Sequence, residues 1–100
     1  MPRREREYQP GLIKRIEKLI PGSYVRKLDV QQGWPDLLIL APDFWALLEV
    51  KKERPTASDF EPNQEWWIEE FDSMSFSACI YPENEEEVLH ALQQTFRSRR

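Results

Sequence analysis

Asp36, Glu49 and Lys51 are the residues of this sequence whose types and spacing could do chemistry together. Pro35-Asp36 leads into the apolar run Leu37–Ala41, Pro42-Asp43 interrupts it, and a second apolar run over residues 44–51 ends in Glu49-Val50-Lys51. If the two runs pair as an antiparallel hairpin turning at Pro42-Asp43, partner numbers sum to 85 and Asp36 lies directly opposite Glu49. Opposed side chains in such a ladder sit about 4.5–5.5 Å apart at Cβ, where two carboxylates repel. A divalent cation between them removes that repulsion. Lys51 points to the same side as Glu49 because side chains alternate along a strand. Two hard oxygen ligands and an ammonium at one hairpin end are equipment for metal-assisted attack on a phosphodiester.

Each residue has a plainer reading. An aspartate after proline commonly closes a turn, and Glu49 with Lys51 could form a surface ion pair of little energetic weight. That pair leaves Asp36 in the same place unexplained. A carboxylate ending an otherwise apolar strand is also costly unless it is paired or metal-bound.

The rest of the chain supplies elements to hold this hairpin. Leu12, Ile13, Ile16, Leu19 and Ile20 recur at helical spacing, predicting an amphipathic helix over residues 8–20 that Pro21-Gly22 stops. A first strand is expected over residues 23–30, followed by a turn at Gln31-Gln32-Gly33. Both hairpin faces are apolar, with Leu38, Leu40, Trp45 and Leu47 on the Asp36 side and Leu37, Ile39, Ala46, Leu48 and Val50 on the other, so both want cover. Residues 53–59 read as a polar loop. Pro62 suits the first turn of a second helix reaching Met74, with Trp67, Phe71 and Met74 as its inward stripe. A fourth strand over residues 76–81 precedes a helix from about Glu83, which buries Val88, Leu89, Leu92 and Phe96 and has acids at its start and arginines at its end. The expected order is αβββαβα.

One hundred residues suffice for a single domain spanning residues 1–100. The single cysteine, Cys79, lies in an apolar stretch, which excludes an internal disulfide and suggests a buried thiol. No apolar run approaches a membrane span and the first residues lack a secretion signal's apolar segment, so a cytoplasmic protein without a membrane partner is expected. The net charge is −4 but unevenly spread: residues 1–30 hold eight Lys/Arg against four Asp/Glu, while residues 61–96 hold nine acids and no Lys or Arg. A chain so polarised can offer a basic face to phosphates while acidic overall. His90, the only histidine, falls outside the apolar stripe of its helix, which disfavours nucleases built on a histidine base and Ser–His hydrolases.

The run Gly33-Trp34-Pro35-Asp36-Leu37 with Leu48-Glu49-Val50-Lys51-Lys52 resembles the PD-(D/E)XK nuclease superfamily, and Pro62-Asn63-Gln64-Glu65-Trp66 looks like the glutamine element of its VRR-NUC branch. The resemblance implies a compact α/β, restriction-endonuclease-like fold with a mixed central sheet flanked by helices. It also implies a Mg²⁺- or Mn²⁺-dependent nuclease, and small stand-alone members act as homodimers on branched DNA such as Holliday junctions. On this resemblance Asp36, Glu49 and the Val50 carbonyl hold metal, Lys51 and Gln64 serve catalysis, and Glu17 is the natural candidate for a first-helix metal ligand. Glu17 could equally be a surface glutamate paired with a lysine, and Gln64 could serve the helix start. Arg3, Arg4, Arg6, Arg26 and Lys52 are candidates for phosphate contact without base specificity. Four tryptophans, Trp34, Trp45, Trp66 and Trp67, exceed what so small a core easily encloses, which points to a subunit interface. The reading is a metal-dependent DNA endonuclease selective for junctions. A nicking or flap nuclease, a nuclease module of a larger repair or restriction complex, and a catalytically silent DNA-binding module are its rivals.

Overall fold

The hairpin forms in the expected register. In the computed structural model, which describes residues 5–98, β2 (Leu37–Ala41) and β3 (Phe44–Val50) are antiparallel, with Leu37 opposite Leu48 and Ala41 opposite Phe44. Pro42 has its φ fixed near −65° and Asp43 adopts a positive φ of 59°, the combination a two-residue type II turn requires. β1 (Tyr24–Lys27) pairs antiparallel with β2, and β4 (Phe76–Ile80) pairs parallel with β3, giving a mixed sheet in the order β1-β2-β3-β4. α1 (Glu5–Leu19), α2 (Gln64–Met74) and α3 (Glu85–Ser98) flank it, and short 3₁₀ turns at Ala57–Asp59 and Pro82–Asn84 precede α2 and α3.

Strand alternation sorts the sheet into two unlike faces. Leu37, Ile39, Ala46, Leu48 and Val50 are fully buried and form one cluster with Leu12 and Ile16 of α1, Ile20 just after it, and Val88, Leu92 and Phe96 of α3. The period of four in both helices puts those side chains on a single stripe. The opposite face carries Leu38, Trp45, Leu47 and Glu49 and is covered over β3 and β4 by α2, where Phe71 is buried beneath an aromatic group of Trp34, Trp67 and Trp45. Three of the four tryptophans are thereby absorbed, and Trp66 remains exposed.

Several expectations need correction. β1 is shorter than residues 23–30, because the chain leaves the sheet after Lys27 to form the loop leading to Asp36. α2 begins two residues after Pro62, since Asn63 takes a left-handed conformation (φ 67°) that cannot be helical. Met74 is exposed, because it sits on the flank of α2 rather than on the stripe through Phe71. Cys79 is only half-buried, since it lies on β4, an edge strand of the sheet. His90 is exposed, as its helical position implies.

α1 and α3 are clamped by a polar contact. The Tyr8 hydroxyl donates to Glu85 Oε1 at 2.7 Å, and Arg15 donates to both oxygens of the same carboxylate at 2.6 and 2.8 Å. Burial, with the Glu85 carboxylate beside it, pushes the Tyr8 phenol well above its ordinary value of 10.0. A group whose pKa is raised on folding stabilises the fold below its ordinary pKa, and that contribution drains away as pH rises above 10. Tyr8→Phe is therefore expected to cost about 1.5–3 kcal/mol at neutral pH. It should also flatten the loss of stability in alkaline solution, which denaturant melts across that range will measure.

Candidate active site

The catalytic candidates stand at one end of the sheet because the strands deliver them there. Asp36 immediately precedes β2 and Glu49 occupies the second-last position of β3, on the face that α2 covers. Asp36 Oδ2 accepts a hydrogen bond from the Val50 amide at 2.9 Å, so the aspartate is fixed against the opposite strand. The proline before it has a function in this ladder. The same register would place position 35 opposite Val50, and a proline there has no N–H to give the Val50 carbonyl. Since the Lys51 amide bonds to Ile80 of β4 at 2.9 Å, backbone alternation turns the Val50 carbonyl toward the Asp36 side.

Glu49 is 2 % exposed, and its Oε2 lies 3.2 Å from Lys51 Nζ. That ammonium is held on other sides too. It donates to the Asp59 carbonyl at 2.9 Å, lies 3.5 Å from Gln64 Oε1, and sits 5.3 Å from the centre of the Phe60 ring. Gln64, 5 % exposed at the start of α2, also accepts the Glu61 amide at 3.2 Å. The Asp59 turn is fastened in its own right: the Thr56 amide, followed by its hydroxyl, holds the Asp59 carboxyl below the usual carboxylate range.

These residues open into a cleft of about 580 Å³ whose other wall is the loop of residues 28–35. Trp34 anchors this loop by packing against Trp67 and Phe71, with ring centroids 5.3 and 4.9 Å away. Gly33 takes φ +90° with its α-carbon pressed so near α2 that a Cβ would stand 3.1 Å from the Pro62 carbonyl oxygen, which explains glycine there. The loop, with Phe60 and the Asp59 carbonyl, is the part of the site that the sequence did not disclose. Gly33-Trp34 was its one visible signal.

Other sequence candidates are not brought to the cleft. Glu17 lies in the last turns of α1, and a short turn joins that end to Tyr24, at the end of the sheet opposite Lys27 and Asp36. It is the first turns of α1 that reach the Asp36 end, where Gln9 is a buried polar residue. Arg26 folds back over the Tyr24 ring, 5.5 Å from its centre, and donates to the Val25 carbonyl, away from the cleft. Lys52 is exposed beyond β3 and does not line the cleft. Arg3 and Arg4, and the side chain of Arg6, lie outside the described residues.

The donor set can be tested against a metal by its chemistry. Among the described residues no three of His, Cys, Asp and Glu gather as a metal-binding group. Two carboxylates and a backbone carbonyl remain, all hard oxygens. Such a set fits Mg²⁺ or Mn²⁺, which keep several water or substrate oxygens, and does not fit the nitrogen and sulfur sites of zinc.

Solved structures share this arrangement of elements. One, described as a "VRR_NUC domain", superposes with a TM-score of 0.67 at 27% identity, covering 86% of this chain and 94% of its own. The chain resembles this VRR-NUC domain in both fold and sequence. A second, a "VRR_NUC domain protein", covers 97% of this chain and 91% of its own with a TM-score of 0.68, and at 18% identity it speaks for the VRR-NUC fold alone. No protein-family model matches the sequence, and no curated protein does. The VRR-NUC neighbours make nuclease chemistry the frame for the cleft. Among the described residues no helix is long and apolar enough to cross a membrane.

Proposed function

We propose that the protein is a Mg²⁺- or Mn²⁺-dependent endonuclease that hydrolyses DNA phosphodiester bonds, acting as a homodimer on branched DNA such as a four-way junction. The observation that carries the reading is the register placing Asp36 and Glu49 on opposite strands of one hairpin end, with Lys51 Nζ 3.2 Å from Glu49. Asp36, Glu49 and the Val50 carbonyl would hold the ion. When bound, it supplies Lewis acidity toward a phosphoryl oxygen and acidifies water. Lys51 meets charge as it grows on the phosphate, and its Glu49, Asp59 and Gln64 contacts fix it beforehand, so little reorganisation remains for the transition state. Gln64 fixes the ammonium and offers its amide N–H to a phosphate or a water.

The cleft's charge supports a cation requirement. Its lining includes Asp29, Asp36, Glu49 and Glu61, against Lys51 as the one lysine or arginine there among the described residues. A polyanion approaching that wall is repelled unless cations intervene. Branched DNA is favoured because a body of 37 × 30 × 23 Å covers only a small part of a junction, and paired incision calls for two sites in fixed relation.

End-labelled single-stranded, duplex, flap and four-way-junction DNAs, each incubated with Mn²⁺, Mg²⁺ or EDTA, test the reading. Junctions should be cut at paired positions with either metal and left intact in EDTA. Equal cutting of linear duplex and junction would remove the branch selectivity, and binding without cutting would favour a silent binding module.

A further inference from the structure

α2 covers β3 and β4 but leaves the β1–β2 half of its sheet face without a helix. Tyr24 and Leu40 are direct partners on that half and are 62 % and 46 % exposed. Leu40 is in turn opposite Trp45, whose ring edge packs on Phe71 and whose backbone carbonyl accepts the Ser75 hydroxyl. That bond brings the end of α2 to Trp45, and Met74, beside Ser75, is 54 % exposed.

Helical geometry gives the orientation of α2. Asp72 accepts the Ser77 amide, so its flank of the helix faces β4. At 100° per residue Met74 and Glu70 lie on the other flank, toward the bare half of the sheet. Tyr24, Leu40, Trp45 and Met74 thus make one apolar patch, at the opposite end of the sheet from the catalytic cleft. Contiguous exposed apolar surface of this kind marks an interaction site.

The border of the patch identifies its occupant. On the strand side it carries Arg26, stacked over Tyr24, and on the helix side Glu70. A two-fold axis lying in the plane of the patch brings the Arg26 border of one copy onto the Glu70 border of the other, twice, while Leu40 and Met74 close around the axis. Isologous interfaces require this self-complementarity, and an apolar centre with a charged rim is their usual anatomy. We propose that the bare β1–β2 face with the adjoining flank of α2 is the surface on which a second copy of this chain docks, with Arg26 and Glu70 pairing across the two-fold. The proposal rests on the homodimer part of the function reading and gives Arg26 a place at the interface instead of on DNA. Because that axis runs along the strands, the two clefts would lie at the same end of the dimer, on either side of the axis.

Light scattering and sedimentation at micromolar concentration provide the test, with circular dichroism as the check on folding and junction cleavage read on the same samples. Wild type should be a dimer. Leu40→Glu, at an exposed position, should be a folded monomer. Arg26→Glu and Glu70→Arg should each weaken dimerisation by about tenfold or more, and the two together should restore most of it, as close interfacial charge pairs do. A monomeric wild type, a Leu40→Glu protein that remains dimeric, or a double variant no better than the single ones would overturn the interface. Metal-dependent cutting by such a monomer would leave the nuclease assignment standing, whereas a dimer of the proposed kind that cuts nothing would remove that assignment and keep the interface.

Discussion

Replacing Glu49 with alanine will abolish cleavage in Mg²⁺ or Mn²⁺ while the chain stays folded. Glu49 is the buried member of the carboxylate pair, and its charge is offset by Lys51, which keeps the Asp59 carbonyl and Gln64 when Glu49 is removed. The variant therefore loses a ligand without stranding the ammonium. Glu49→Gln keeps the shape and removes only the charge, so it should be equally inactive and serves where the alanine variant folds poorly. Lys51→Ala should lose about 10²–10³-fold in rate, the usual effect of deleting one fixed donor to developing charge. Gln64→Ala removes one contact to the ammonium and one amide donor in the cleft and should lose about 10–100-fold. Arginine at 51 should not rescue, since a planar fork cannot reproduce the contacts of a compact ammonium. Single-turnover rates on junction DNA, with circular dichroism on each variant, decide the matter. Full activity in a folded Glu49→Ala protein would withdraw the assignment of this cleft.

Divalent metal will raise the melting temperature, and the rise will depend on Asp36 and Glu49. At a concentration one hundred times Kd, an ion that binds only the folded chain contributes about 2.7 kcal/mol. In a domain of this size each kcal/mol moves the midpoint by about 4–8 °C, so a shift of about 10–20 °C is expected. Asp36→Asn should raise the stability of the metal-free protein by removing one of two opposed charges, and should erase most of the metal effect. The amide oxygen of asparagine can still accept the Val50 N–H. Equal metal-induced shifts in wild type and in the Asp36→Asn, Glu49→Gln double variant would refute the geometry of the site whatever the enzyme does.

Short-range geometry was legible in the sequence. Hairpin register depends on a two-residue turn and on alternation, both visible in residues 37–50, and so the opposition of Asp36 and Glu49 could be read from the residue order alone. The stripes of α1 and α3 could be read as well, because their apolar residues recur at helical spacing. What escaped was set by tertiary contact. Met74 belongs to an apolar series but lies on a flank of α2 that leaves it exposed among the described residues. Glu17 has a suitable type but stands at the wrong end of a helix, and only the path of the chain into β1 reveals which end that is. Arg26 points by strand alternation to the face of the cleft, yet its long side chain folds back over Tyr24. The loop that walls the cleft is held by Trp34 against Trp67 and Phe71, residues more than thirty positions away, and no local pattern announces that contact.

The Pro42-Asp43 turn sits at the far end of its hairpin from the carboxylates, yet it works as the ruler by which they are aligned. Surface turns are normally where a chain tolerates added residues. Here one extra residue would slide β3 by a step against β2, and because side chains alternate, a slip by one sends a strand's side chains to the other face. Asp36 would then face the Val50 position, and Glu49 would lose its opposed partner without any residue of the site having changed. The length of this turn is therefore as much a part of the candidate site as the acids themselves, and drift in it should be confined to substitutions that keep a fixed φ first and a positive φ second.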